Sequence, residues 1–305
     1  MEKRKVTMKD VAREAGVSTA TVSYVLNYSE KEKISHDTRL KVFAAVKKMG
    51  YVPNMTAKSL AGKSSHLLGI IIDLNEKNKK SKLFQYYDIM NEIQRNMHKL
   101  GYDAVILSTK DMEKDFEVVS KRSLDGVFII GMGESQLREI TRGYYVPVVI
   151  VDGYLDDDLF FKVLPDYRAV FRKAKDLLDS DNVYLVIEEY SSHLLDQIIS
   201  EEIGMENVFI NRPDTCLEKF LLDHKNQKGI IMGEILGIQM ERFIENENFI
   251  VVASGENHSM LLESTQRIII SNKEKAEWAV KIMETLLKLE AIDEVPKSIY
   301  IEPRT

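Results

Sequence analysis

Cysteine, proline and long apolar runs are scarce in this sequence of 305 residues, and each scarcity excludes a class of protein. A single cysteine, Cys216, cannot form an internal disulfide and has no Cys or His neighbours for a zinc site, so we predict a small apolar core residue. The longest apolar runs, 146–151 and 249–253, fall far short of the ~20 residues of a membrane span. The basic start lacks an apolar signal segment, which predicts a cytoplasmic protein.

Positive charge is also in the minority, because the formal net charge of the whole chain is −6. Taken alone, that value argues against a nucleic-acid partner. Residues 1–65, however, hold 13 Lys+Arg and 6 Asp+Glu, for a net charge of +7. Residues 66–305 hold 29 and 42, for −13. The sequence is therefore a small basic module joined to a large acidic one, and the basic module is the one suited to an anionic partner.

Three short helices are predicted in the first 50 residues. The segments Met8–Ala15 and Ala20–Leu26 have apolar residues on one face and are separated by Gly16, which permits the backbone conformation that ends a helix. A longer amphipathic segment follows Ser35, whose hydroxyl can cap its start. Two helices joined by a glycine-containing turn and braced by a third form a unit that places its second helix in the DNA major groove.

After an interruption at Pro53, the pattern changes to apolar strands that alternate with helices such as 86–100. This alternation predicts an α/β core of about 240 residues, with parallel sheets flanked by helices and arranged in two lobes. The helical stripe in 276–289 is expected to pack in the N-terminal lobe. The predicted strands are 67–72, 104–107, 127–130, 148–151, 183–187, 208–210, 229–232, 249–253, 268–270 and 298–302.

Three sequence segments together resemble a known family. Residues 6–27 read VTMKDVAREAGVSTATVSYVLN, residues 50–54 read GYVPN, and residues 57–62 read AKSLAG. They closely resemble the lactose-repressor/galactose-repressor (LacI/GalR) family of bacterial helix-turn-helix transcription regulators. The resemblance implies a homodimer that reads a pseudo-palindromic operator in double-stranded DNA, and a core that is shaped like the periplasmic sugar-binding proteins and binds a small effector.

The resemblance also implies a division of the chain. Residues 1–52 would form the three-helix DNA-binding domain, and residues 53–65 the hinge helix and linker. Residues 66–305 would form the effector-binding and dimerisation core. The N-terminal lobe of that core would contain residues 66–160 and 266–289, and the C-terminal lobe residues 161–265 and 290–305. The absence of a heptad tail favours a dimer over a tetramer.

Functional residues of the head follow from the resemblance position by position. The base-reading places hold Thr19, Ala20 and Tyr24, and Tyr24 replaces an arginine that is common in relatives, so a bidentate guanine contact is lost. The minor-groove hinge would comprise Asn54, Ala57, Lys58 and Leu60, with Leu60 inserted between base pairs as an apolar wedge. The phosphate-binding places hold Thr7, Ser18, Thr21, Ser23, Asn27, Ser35, Thr38 and Tyr51.

The effector site is expected beyond the carboxyl ends of the core strands. Phe84 aligns with an aromatic residue that stacks on sugars in relatives, although a packed core position is the alternative. Gly153 stands where an arginine is common in relatives, so a standard sugar effector is less well supported than the fold. An unusual ligand, a partner protein or no ligand are the alternatives. The expected effector residues are Asp73, Phe84, Ser108, Asp152, Glu188 and Glu256, with Gly131 and Ser254 at further strand ends.

Signatures of catalysis are missing from the sequence. It contains no Gly-x-Gly-x-x-Gly loop, phosphate-binding Gly-x-x-x-x-Gly-Lys loop, His-Glu-x-x-His pair or Gly-x-Ser-x-Gly elbow. The six histidines are scattered without metal spacing, and a solvated loop explains the acidic run 156–158. We therefore expect a regulator, with no enzymatic activity, cofactor or metal. A DNA-bending architectural protein without an effector is a further alternative.

Overall fold

The computed structural model describes residues 6–26, 33–49, 51, 64–73, 80–109, 124–141, 146–255, 260–288 and 295–305. The first three helices form the head. They are α1 (Met8–Ala15), α2 (Thr19–Leu26) and α3 (His36–Met49). Gly16 ends α1 in the left-handed conformation with φ 67°, as the sequence predicts. Val11, Val22 and Val42, one from each helix, are fully buried in a common core.

The remaining described residues form two parallel sheets with helices between the strands, which confirms the predicted fold class. The strands are β1 (Leu67–Asp73), β2 (Asp103–Thr109), β3 (Gly126–Ile130), β4 (Val148–Val151), β5 (Phe161–Pro165), β6 (Val183–Glu188), β7 (Val208–Asn211), β8 (Lys228–Met232), β9 (Phe249–Ala253), β10 (Gln266–Ile269) and β11 (Ser298–Ile301). The helices are α4 (Lys80–Lys99), α5 (Glu134–Thr141), α6 (Tyr167–Leu178), α7 (His193–Glu202), α8 (Leu217–Asp223), α9 (Glu234–Met240) and α10 (Asn272–Lys288).

Each sheet belongs to one lobe. The strand order is β11-β5-β4-β3-β1-β2 in the first lobe and β10-β9-β8-β6-β7 in the second. Central strands such as β3, β4 and β6 are buried along their whole length, because helices cover both faces. The continuous Val and Ile runs of the sequence are the signature of this double burial.

The lobe boundaries differ from the expected division in three places. Strand β5 pairs with β4 in the first sheet, so the expectation that the second lobe begins at residue 161 was wrong. The last strand, β11, pairs with β5 in the first sheet, so the expectation that residues 290–305 belong to the second lobe was wrong. The segment 266–269 forms β10 in the second sheet rather than part of the first lobe. The strand β5 itself was not predicted, because Lys162 interrupts its apolar pattern. The Lys162 Nζ is buried and donates to the carbonyls of Leu155 (2.9 Å) and Asp157 (3.0 Å).

Helix α10 packs on α4 and on strands of the first sheet, as predicted from its apolar stripe. Within the described residues, the chain passes between the lobes after β5, after β10 and after β11, where Arg304 forms an antiparallel bridge with Ile269. Cys216 lies exposed before α8, so the expectation of a core cysteine was wrong. None of the described helices is both long enough and apolar enough to cross a membrane.

Candidate nucleic-acid interface and interlobe cleft

Helix α2 turns one face to the head core and another to solvent. Its start is capped by Ser18, whose Oγ accepts a hydrogen bond from the Thr21 backbone N–H at 3.0 Å. Val22 lies on the buried face of the helix, whereas Thr19 and Ala20 are exposed. Tyr24, the third residue expected to read bases, is half-buried. Small, exposed side chains at the start of the helix permit close approach of a groove floor.

Hydroxyl and carboxyl side chains also organise the starts of the other two head helices. At α1, Asp10 Oδ2 accepts from the Thr7 backbone N–H (3.0 Å) and hydroxyl (2.7 Å). At α3, the Ser35 Oγ accepts from the Thr38 backbone N–H at 3.3 Å. The N–H groups at such helix starts suit phosphate oxygens. Burial raises the pKa of Tyr51, which keeps its phenol a neutral hydrogen-bonding group.

The predicted phosphate-binding residues differ in exposure. Thr7, Ser18 and Ser35 are exposed, and Thr21, Ser23, Thr38 and Tyr51 are partly buried. Asn27 and the minor-groove hinge residues Asn54, Ala57, Lys58 and Leu60 lie outside the described residues.

The head also contacts the first lobe. The His36 Nε2 at the start of α3 lies 3.0 Å from the Asp157 Oδ2 in the loop before β5. Asp157 belongs to the acidic run 156–158, for which sequence reasoning expected only a solvated loop. A pairing across more than a hundred residues leaves no local sequence signal. The acidic run is therefore part of the head-to-core contact.

A cleft with a volume of about 390 Å³ lies between the two lobes, at the carboxyl ends of β4, β6 and β9. The structure brings two of the expected effector residues, Asp152 and Glu188, to this cleft together with Gly131 and Ser254. Its other lining residues include tyrosines, serines and two cationic side chains. These are Tyr86, Tyr154, Tyr167, Tyr190, Tyr300, Ser191, Ser192, Arg168 and Lys275.

Asp152 is held by a lysine that sequence reasoning missed. Its backbone is left-handed, with φ 53°, and its Oδ2 lies 2.9 Å from the Nζ of Lys275, which is buried on α10. A Cβ at Gly153 would lie 2.9 Å from the Met132 carbonyl oxygen, so a side chain is not accommodated there. The cation beside Asp152 is therefore supplied by α10. The available signal was a lysine within the apolar stripe that includes Ala279.

Glu188 ends β6 as a buried carboxylate. Both its oxygens lie 3.2 Å from the Asn211 Nδ2, which donates to them. Nearby, the Tyr190 hydroxyl donates to Asp196 Oδ1 at 2.8 Å, and burial raises the Tyr190 pKa. Burial likewise raises the pKa of Tyr167. Both phenols stay neutral at physiological pH.

Phe84, a further expected effector residue, does not line this cleft. Phe84 is 45% exposed on α4 and lines a small depression beside Glu188, so the alternative of a packed core position was wrong. Asp73 is the last residue of β1, and Ser108 is the next to last residue of β2. Glu256 lies outside the described residues.

Comparison with known proteins gives matches to the head and to the whole fold. Residues 7–54 match the family model described as "Bacterial regulatory proteins, lacI family". The ribose operon repressor of Escherichia coli K12 is 34% identical over 152 residues, which cover 48% of this chain and 44% of the repressor. The chain thus spans less than half the length of that relative.

Two solved structures share the fold over nearly the whole chain. The complex of the transcriptional regulator CelR with cellobiose has a TM-score of 0.62 at 17% identity, and the match covers 98% of both chains. The lac repressor dimer bound to operator and the anti-inducer ONPF has a TM-score of 0.57 at 18% identity, covering 98% of this chain and 97% of the repressor chain.

The class that these comparisons define is a helix-turn-helix head of the bacterial regulatory type, joined to a two-lobed core of parallel sheets. Residues 7–54 thus match the lacI family of bacterial regulatory proteins, and the whole chain shares the fold of the CelR and lac repressor structures.

Proposed function

We propose that this chain is a cytoplasmic transcriptional repressor, which binds a pseudo-palindromic operator as a homodimer and changes its operator affinity when a small ligand occupies the interlobe cleft. The observation that carries the proposal is the exposed, hydroxyl-capped start of α2 within a head that matches the lacI family. The net charge of +7 in residues 1–65 supplies salt-dependent attraction to phosphates.

Sequence reading is proposed for the exposed end of α2. The methyl groups of Thr19 and Ala20 suit contact with a thymine methyl, and the Thr19 hydroxyl suits a base-edge hydrogen bond. Tyr24 offers an aromatic ring and a hydroxyl in place of an arginine fork. Phosphate positioning is proposed for the hydroxyls at the helix starts, and insertion at the operator centre for Leu60.

Ligand sensing is proposed for the cleft, because its walls come from both lobes and its buried ion pair ties α10 to the end of β4. The three passages of the chain between lobes are suited to a hinge, which would absorb a change of lobe angle. A formed cleft of about 390 Å³ favours this proposal over a core that senses no ligand.

Selection of bound sequences from random duplexes by the purified chain tests the DNA-binding half of the proposal. We expect an enriched pseudo-palindrome with a pyrimidine–purine step at its centre, because such steps unstack most easily under an apolar wedge. Thr19→Ala should change the preferred bases in each half-site, whereas Ser200→Ala, at an exposed position of α7, should select the wild-type motif. No enriched motif from the wild-type chain would contradict sequence-specific regulation.

A further inference from the structure

The charged side chains that line the interlobe cleft do not favour an anionic ligand. Both cations are engaged by carboxylates: Lys275 by Asp152 at 2.9 Å, and Arg168 by Glu201 at 2.5 Å. Arg168 also lies 3.6 Å from Glu202. The carboxylates of the lining are Asp152, Asp166 and Glu188. Among the described residues, the cleft therefore presents carboxylates in excess and offers no unengaged arginine fork to a phosphate or carboxylate.

Three nitrogen and hydroxyl donors at the cleft are engaged within the protein. The Asn272 Nδ2 donates to Asp88 at 2.9 Å, the Tyr190 hydroxyl to Asp196 at 2.8 Å, and the Lys275 ammonium to Asp152. An acceptor remains, because the buried Asp152 Oδ1 has no hydrogen-bond partner among the described residues. A buried acceptor without a donor is costly, so a ligand that supplies an N–H or O–H would relieve that cost.

Aromatic rings line the same cleft. Tyr86, Tyr154, Tyr167 and Tyr190 all line it, and Tyr300 lies at its exposed edge. Gly131 allows the Tyr86 ring to lie against the end of β3, since a Cβ there would be 2.5 Å from the ring. The faces of aromatic rings carry partial negative charge and attract cations, most strongly when the cation is desolvated.

We infer that the cleft binds a small ligand that carries a protonated amine. An N–H of the ammonium donates to Asp152 Oδ1, and its charge faces the buried Glu188 carboxylate and the tyrosine rings. An ammonium has donors and no acceptor, which complements a site that presents acceptors. A neutral polyol would bring no positive charge to the carboxylates of the lining, and an anion would be repelled by them. This inference rests on the proposed function of the cleft as an effector site.

Matched ligands on three scaffolds test the inference with the full chain. Each set contains an amine, a neutral analogue and an acid: glucosamine, glucose and glucuronate; putrescine, butanediol and succinate; tyramine, ethylphenol and hydroxyphenylacetate. Binding is measured by calorimetry and by the shift in melting temperature. We expect at least one amine to bind tenfold or more tightly than both of its analogues.

Two adjacent glutamates provide the variant and its control. Glu188→Gln keeps the size and hydrogen-bonding capacity of the side chain but removes its charge, so affinity for the bound amine should fall at least tenfold. Glu189→Gln alters a neighbour that pairs with Arg212 at 3.2 Å and does not line the cleft, so affinity should be unchanged. The melting temperatures of both variants without ligand report whether the fold is retained. If Glu188→Gln unfolds, Tyr190→Leu serves as the second variant, because it removes a ring at the cleft.

Three results overturn the inference. If a neutral or acidic analogue binds as tightly as its amine or more tightly, the preference for an amine is refuted. The cleft would still be an effector site. Equal loss of affinity in the Glu188 and Glu189 variants refutes the role of the buried charge. Binding of no amine on any scaffold refutes the inference as well, and selection of an operator by the same preparation then shows whether the DNA-binding part of the proposed function still stands.

Discussion

A buried ion pair joins α10 to the end of β4, with the Lys275 Nζ 2.9 Å from the Asp152 Oδ2. Asp152 and Glu188 follow apolar strands, so their place at strand ends could be predicted from the sequence. Lys275 could not, because its partner lies 123 positions away and its helix reads as an apolar stripe. The close packing at Gly153 is likewise visible only in three dimensions, because a Cβ there would lie 2.9 Å from the Met132 carbonyl oxygen.

Lys275→Met should destabilise the chain, because it leaves the Asp152 carboxylate partly buried without its cation. Breaking a buried pair by removing one partner costs about 3–5 kcal/mol, and the partial exposure of Asp152 places the expected loss at the lower end. Denaturant unfolding measures it. Lys273→Met, at an exposed position of the same helix, should change stability by less than about 0.5 kcal/mol. Equal losses in the two variants would contradict a structural role for the ion pair.

Lys297 gives the stability a dependence on alkaline pH. Burial lowers its pKa to about 8 from the ordinary value of 10.5. Between these values the unfolded chain binds more protons at this site than the folded chain, so this residue's contribution to stability rises with pH from about 8 to 10.5.

The Lys297→Met variant isolates that contribution from those of other titrating groups. Wild-type stability minus variant stability, measured by denaturant unfolding at several pH values, should increase across this window. A difference that is flat or decreasing with pH would show that the Lys297 pKa is not lowered in the folded chain.

At the level of elements, hydrophobic period and capping residues predicted the three head helices, α4, α10 and ten of the eleven described strands, but gave no bounds for α5 to α9. Helix α1 has the predicted bounds, and α2 begins one residue before its predicted start. Strand β5 escaped prediction because a buried lysine stands where the pattern requires an apolar residue. The lobe to which β11 belongs could not be predicted for a different reason. Periodicity identifies a strand but not the sheet that the strand joins.

Ser18→Ala should loosen the start of α2, because the Thr21 N–H loses its side-chain acceptor. Loss of such a cap costs about 1 kcal/mol. Hydrogen exchange of the α2 amides should speed by about fivefold, with no change in α7. Ser200→Ala, which removes a hydroxyl that does not cap its helix, should leave exchange in α2 unaltered. Unchanged exchange in Ser18→Ala would mean that Ser18 does not stabilise the helix.

Over the whole molecule, the uneven charge is the feature that the sequence conveyed most directly. The basic head and the acidic core have net charges of +7 and −13, and they meet where His36 pairs with Asp157. The lobes also approach closely at Gly133, where an added Cβ would lie 2.8 Å from the Cβ of Ser191. Neither contact could be predicted from the sequence, because both join elements that are distant along the chain.

Gly133→Val should hold the lobes apart at that contact. The side chain would collide with Ser191 across the cleft, so the lobes must open by a few tenths of an ångström or more. We expect the radius of gyration from solution scattering to increase slightly and ligand affinity to fall, with operator selection retained. Ser135→Val, at an exposed position of the following helix α5, is the control. If Gly133→Val binds the cleft ligand with wild-type affinity, ligand binding does not require the lobes to approach as closely as they do at Gly133.

Reading of DNA sequence by the head is tested most directly by a ratio of two dissociation constants. One is for a scrambled duplex and the other for a selected duplex, both measured at one fixed salt concentration. Specific regulators bind their sites about 10³-fold or more tightly than other DNA. We predict a ratio in that range with two chains bound per selected duplex, and a ratio close to one for an Ala20→Asp variant that retains the wild-type melting temperature. A wild-type ratio near one would contradict the account.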